Sequence, residues 1–147
     1  MINSILLVDD ENLFHLVFED ACSLLDITLT LEAISSSDEA EKRFKHYMEF
    51  PNDAQYHKPE VVFVDLNIIG STFDGLELVN RINNLYGNGV VIGMISSSSD
   101  SAEIEKSKEY GAQFWIVKTD EIEPRLERFR EDYEGYKNKT MGFKVYK

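Results

Sequence analysis

Ile5-Leu6-Leu7-Val8-Asp9-Asp10 sets four apolar residues directly against two acids, and the same construction recurs three more times in the chain. Val61-Val62-Phe63-Val64 runs into Asp65, the stretch from Val90 to Ile95 into Ser96, and Phe114-Trp115-Ile116-Val117 into Lys118. Short runs that are apolar without alternation and rich in β-branched residues read as strands buried on both faces, as in a parallel sheet covered by helices. In such sheets ligands sit at the carboxyl ends of the strands, so these scattered polar residues converge on one pocket.

Helical spacing fills the intervals. From Glu11 to Leu25 the apolar positions are Phe14, Val17, Phe18, Ala21, Leu24 and Leu25. Ile27 to Ala33 then alternates Ile27, Leu29 and Leu31 with Thr28, Thr30 and Glu32, the pattern of an outer strand with one wetter face. Ser36 and Glu39 form a capping-box pair before a stripe of Ala40, Phe44, Tyr47 and Met48, and Pro51 to Pro59 is a polar loop. Gly75 to Tyr86 reads as a helix with Leu76, Val79, Ile82 and Leu85 inward. A polar helix from about Ser101 to Tyr110 has only Ala102, Ile104 and Tyr110 to anchor it. Ile122, Leu126, Phe129, Tyr133 and Tyr136 mark the last helix, with Asp120 its expected N-cap and Pro124 near its start. Five strands alternating with helices make a doubly wound five-stranded parallel α/β sheet, and no internal repeat is present.

A chain of 147 residues, 43% apolar, fits one domain. Its net charge of -12 argues against nucleic acid as a partner, because such binding relies on Lys and Arg neutralising phosphates. Cys22 is the only cysteine and falls at an apolar helical position, which suits a reducing compartment. There is no basic leader and no apolar run near the roughly 18 residues of a membrane span, so a cytoplasmic protein without a membrane partner is expected. His15, His46 and His57 lack the spacing of metal ligands.

In order along the chain, Ile5-Leu6-Leu7-Val8-Asp9-Asp10-Glu11, Val64-Asp65-Leu66-Asn67, Asp74-Gly75 before a helix, Ser96 after a buried strand, and Gly111-Ala112 followed by Trp115-Ile116-Val117-Lys118 resemble the receiver domain of bacterial two-component response regulators. The resemblance assigns 1–137 to the receiver and 138–147 to a basic C-terminal tail. It implies a flavodoxin-like fold with strand order 2-1-3-4-5. It also implies that Asp65 accepts a phosphoryl group from a phosphohistidine on a sensor histidine kinase or histidine phosphotransfer protein. A Mg2+ cofactor would be held by Asp10 directly, Asp9 through water, Asp65, and the main-chain carbonyl of Asn67, since this hard ion prefers oxygen ligands. Lys118 would meet a phosphoryl oxygen, Ser96 would hydrogen-bond the phosphoryl group, and Trp115 would be the aromatic member of a switch with Ser96. Asn67 and Ser98 would flank the pocket. The implied protein is a single-domain signalling module, monomer or weak homodimer. It is not an enzyme beyond assisting its own phosphoryl transfer and dephosphorylation, and it acts on an unknown protein target through the surface from about Ser101 to Tyr136.

Three departures from the family stand out. Thr119 follows the lysine where proline is usual; a non-proline cis bond costs roughly 2.5 to 4 kcal/mol, so this junction is either trans or strained. Ile69 replaces a common proline, and the loop to Asp74-Gly75 is two residues longer than usual. The tail from Lys137 to Lys147 alternates Met141, Phe143 and Val145 with Gly142, Lys144 and Tyr146, and a frayed end is expected in preference to an added strand. Two other functions compete. A haloacid-dehalogenase-type phosphatase shares the Asp, hydroxyl, Lys and magnesium, but needs a second acid where Asn67 stands. A receiver-like interaction module independent of phosphorylation would not need the complete set of Asp9, Asp10, Asp65, Ser96 and Lys118.

Overall fold

The computed structural model describes residues 2–55, 58–87, 89–119 and 121–147. Expectations that fall on His57, Asp120 and the side chain of Leu29 lie outside what it describes. The elements run β1 (Ile2–Val8), α1 (Asn12–Leu25), β2 (Thr28–Ile34), α2 (Ser37–Glu49), β3 (Val61–Val64), α3 (Gly75–Tyr86), β4 (Val91–Ser96), α4 (Ser101–Glu109), β5 (Phe114–Val117), α5 (Ile122–Lys137) and β6 (Lys144–Tyr146). All neighbouring strands pair in parallel, in the order β2-β1-β3-β4-β5-β6. The expected five-stranded sheet is therefore corrected to six. The end expected to fray instead pairs with β5, because the chain after α5 crosses back and offers Val145 and Tyr146 to the two faces of the sheet.

Each apolar run is unbroken because the sheet has a core on both sides. Ile5 and Leu7, Val61 and Phe63, and Phe114 and Ile116 face α1 and α5; their neighbours Leu6 and Val8, Val62 and Val64, and Trp115 face α2, α3 and α4. On the α1/α5 side Phe129 meets Phe63, Phe114, Tyr136 and Tyr146, with ring centroids 4.6 to 6.0 Å away. Gly93 makes room for this cluster: a Cβ there would lie 2.5 Å from the Phe114 ring.

Local chemistry starts the helices. Ser36, Asp74 and Asp100 accept hydrogen bonds from the amides of Glu39, Glu77 and Glu103, satisfying donors that the helix itself leaves free. Pro124 is the third residue of α5, inside the first turn, where its missing N–H removes no intrahelical bond. Three stripes differ from the expected ones: Leu24 of α1, expected inward, is 73% exposed. Met48 is half exposed, at 50%, and Ala102 faces solvent while Ser107 is buried, its hydroxyl donating to the Ile104 carbonyl at 2.7 Å.

Candidate functional site

The carboxyl ends of β1, β3, β4 and β5 are level, which brings their terminal residues together. The amide of Asp65 donates to the Val8 carbonyl at 2.9 Å, and that of Lys118 to the Ser96 carbonyl at 2.7 Å. Asp9 is fully buried; one carboxylate oxygen accepts from the Glu11 amide and the other from Lys118 Nζ, both at 2.8 Å. Asp9, Asp10 and Asp65 each turn an oxygen to a common point, the three within 4.8 Å of one another. Lys118 Nζ lies 3.9 Å from Asp65 Oδ2, 3.3 Å from Glu11 Oε2 and 4.3 Å from the centroid of the Phe14 ring.

Charge repulsion is visible in the proton affinities. Burial first, then the charge of Asp9, pushes the Asp65 carboxyl up to about 7, although Lys118 and the Leu66 amide pull the other way. Burial works against the Lys118 ammonium. The hydrogen bond to Asp9 and the charges of Asp65, Asp9 and Glu11 nevertheless hold it above the ordinary lysine value. One lysine thus leaves an excess of carboxylate charge in a nearly dry pocket. A small divalent cation with oxygen ligands fits that donor set, and the cluster is one that can hold a metal.

The start of α3 is pressed onto β3. A Cβ on Gly75 would fall 1.9 Å from the carbonyl oxygen of Asp65, so only glycine allows this approach without displacing one of them. The Gly75 amide donates to the Leu66 carbonyl at 3.0 Å, closing the loop between them. Asn67 lies exposed in that loop, and Ile69 is 80% exposed at its tip. The second half of the loop is tied to α2. Ser71 Oγ accepts from the Ser37 amide, Ser37 Oγ donates to the Phe73 carbonyl, and the Thr72 amide donates to Asp38.

Ser96 ends β4 at 3% exposure, and its hydroxyl accepts from the Ser98 amide at 3.2 Å. Trp115 stands apart from the acids. Its indole is fully buried beneath the β4–α4 loop, with Nε1 donating to the Ser98 carbonyl at 3.0 Å. Glu103 of α4 accepts from Ser98 Oγ at 2.6 Å, so Ser98 is held from three sides. No peptide bond among the described residues is cis, and the Lys118–Thr119 junction is trans. Thr119 Oγ1 accepts from Arg125 Nη1 at 3.0 Å, which ties this junction to α5. Sequence reading missed the roles of Glu11, Phe14 and Glu103. The first follows the acidic pair directly; the other two depend on side-chain direction.

A doubly wound parallel sheet whose first five strands lie in the order 2-1-3-4-5 defines the flavodoxin-like class of α/β domains, and here acids, a hydroxyl and a lysine end its strands. Within that class the sequence matches the response regulator receiver domain over residues 5–128, and the chain belongs to this family. No curated protein matches the chain. Among solved structures, it is similar to the signal receiver domain of a modulated diguanylate cyclase from Desulfovibrio desulfuricans G20, with TM-score 0.70 and 20% identity over 96% of this chain and 100% of that one. A CheY-like receiver domain protein from Methanospirillum hungatei JF-1 gives 0.73 and 15% over 95% and 99%. The phosphorylated cyanobacterial phytochrome response regulator RcpA gives 0.71 and 18% over 96% and 97%. At these identities the likeness is one of fold. Among the described residues, no helix is long and apolar enough to cross a membrane.

Proposed function

We propose that this chain accepts a phosphoryl group on Asp65 from a phosphohistidine of a sensor kinase or phosphotransfer protein, and signals by protein contact. The observation that carries this reading is the convergence of Asp9, Asp10 and Asp65 within 4.8 Å, beside Lys118. A carboxylate oxygen of Asp65 attacks phosphorus, a P–O bond forms, and the P–N bond to the donor imidazole breaks. The imidazole leaves and takes up a proton. Attack by an anion on an anionic centre needs fixed positive charge, which Lys118 supplies at the pocket rim and which its partners keep protonated. Asp9, Asp10, Asp65 and the Asn67 main-chain carbonyl would hold magnesium, which when bound neutralises phosphoryl oxygens. The phosphatase alternative is not favoured, because exposed Asn67 cannot act as the second acid.

The donor's approach is suggested by an apolar rim. Leu13 and Leu16 of α1 are 68% and 60% exposed, and Leu13 shares a cleft with Phe14, Ser97, Lys118 and Thr119. Incubation with magnesium and acetyl phosphate, followed by peptide mapping, is expected to give one acid-labile phosphate, on Asp65. Label on a Ser, Thr or His would overturn the assignment.

Ser96 and Trp115 supply a switch in this reading. Drawing the Ser96 hydroxyl to a phosphoryl oxygen releases the Ser98 amide, and the Ser98 carbonyl is the acceptor of the indole N–H. Trp115 is the only tryptophan, so its emission is expected to shift when magnesium and beryllofluoride occupy the pocket. Ser96→Ala should bind the same ligand without the shift. Unchanged emission of the wild-type chain at saturation would remove Trp115 from the switch.

A further inference from the structure

The edge of β5 is covered by the chain's own end. Lys144, Val145 and Tyr146 pair in parallel with Phe114, Trp115 and Ile116. Their side chains are shared between two helices. Tyr146 enters the aromatic cluster under α5, with its ring 6.0 Å from Phe129 and its hydroxyl 2.8 Å from that of Tyr136. Val145 and Phe143 pack on the Trp115 side, and Lys108 of α4 lies 4.9 Å over the Phe143 ring. Asp132 of α5 receives both Lys144 Nζ at 2.9 Å and the Tyr146 hydroxyl at 2.7 Å. The groove between α4 and α5 thus reads an extended segment of pattern aromatic-Lys-apolar-Tyr. A main-chain ladder gives the hold, and Asp132 with one aromatic cavity gives the choice.

The hold is short. β6 has three residues, of which Lys144 is exposed, Val145 half-buried and Tyr146 buried. It also rests on a linked residue: Val145 lies beside Trp115, Trp115 donates to Ser98, and Ser98 donates to Ser96 at the end of β4. We propose that β6 is a displaceable internal ligand of the α4–β5–α5 groove, and that an extended partner segment carrying the same Lys-apolar-Tyr pattern takes its place. This deepens the signalling reading above and rests on it for the coupling to Asp65. Displacement itself needs no phosphate.

Two measurements on the full chain test it. In hydrogen exchange, the amides of β6 should open locally, about ten-fold or more faster than those of Val62 and Phe63 in β3, and faster again with magnesium and beryllofluoride. A labelled peptide of residues 140–147 should bind the Tyr146→Ser chain, whose own end has lost its anchor, about a hundred-fold more tightly than wild type. That margin is the ratio of the roughly millimolar effective concentration of a short tethered competitor to a free-peptide Kd on the order of 10 μM. Exchange of β6 only at the rate of β3, equal peptide affinity for both chains, or unfolding of the Tyr146→Ser chain would each make β6 a permanent strand and overturn the proposal. A wild-type dimer that dissociates on adding the peptide would assign the groove to a second copy and overturn it as well. Failure of Asp65 to take phosphate, with the peptide result intact, would instead count against the phosphoacceptor reading alone.

Discussion

Asp65→Asn is expected to abolish acid-labile phosphorylation and, in the metal-free protein, to raise stability above neutral pH. The amide keeps the size of the side chain but removes the proposed nucleophile and one of three crowded acidic groups. Because the folded-state value of Asp65 is about 7, above its ordinary 3.8, the folded state binds this proton more tightly than the unfolded one. The corresponding stability is fully present below about pH 4 and is lost as pH rises through 7. The loss is on the order of a few kcal/mol, since each ten-fold change in proton affinity is worth about 1.4 kcal/mol and the charge is shared with its neighbours. Denaturant unfolding in EDTA from pH 4 to pH 8 should show the wild-type curve falling relative to Asp65→Asn across this window. Parallel curves would mean that Asp65 is not the strained carboxylate. Robust stoichiometric label on the Asn variant would remove it as the acceptor.

Phe129→Ala should be the most destabilising single truncation in the α1/α5 core, at about 3–5 kcal/mol. The ring is fully buried and sits among Phe63, Phe114, Tyr136 and Tyr146, so neighbours anchored on different elements cannot all close into the space it leaves. The urea midpoint should fall with little change in slope, because the surface exposed on unfolding is almost the same. A loss below about 1 kcal/mol would show that the cluster repacks, contrary to a close-packed interior.

What could be read from the sequence follows from how local its cause is. The bounds of α3, Gly75 to Tyr86, are legible because a capping Asp74, a glycine and four inward residues at helical spacing all lie within the segment. The pocket acids and Lys118 are legible for a related reason: each directly follows an apolar run, and a parallel sheet aligns the ends of such runs. The start of β1 at Ile2 is obscured by Asn3 and Ser4, polar residues that the edge of the core tolerates. Ser107 takes the buried place expected of Ala102 because a hydroxyl satisfied inside its own helix packs as a small apolar group, and Met48 is exposed because a stripe's last residue can pass beyond its neighbour. The alternation around β6 is visible in the sequence, but a strand of three residues is too short for it to decide between pairing and fraying. The anchors of β6 are Asp132, Tyr136 and Trp115, none of them adjacent to it in sequence.

The contact between Gly75 and the Asp65 carbonyl also bears on what this domain can tolerate elsewhere. With Leu66 and Gly75 clasped by a hydrogen bond and residues 71–73 moored to α2, the tip around Ile69 is a detour whose ends are fixed independently of its length. Lengthening such a closed loop costs little, because closure entropy grows only with the logarithm of its size. Between Asp65 and the helix that follows it, the chain has a place where new sequence can accumulate while the Asp65 carboxylate stays where β3 and α3 hold it.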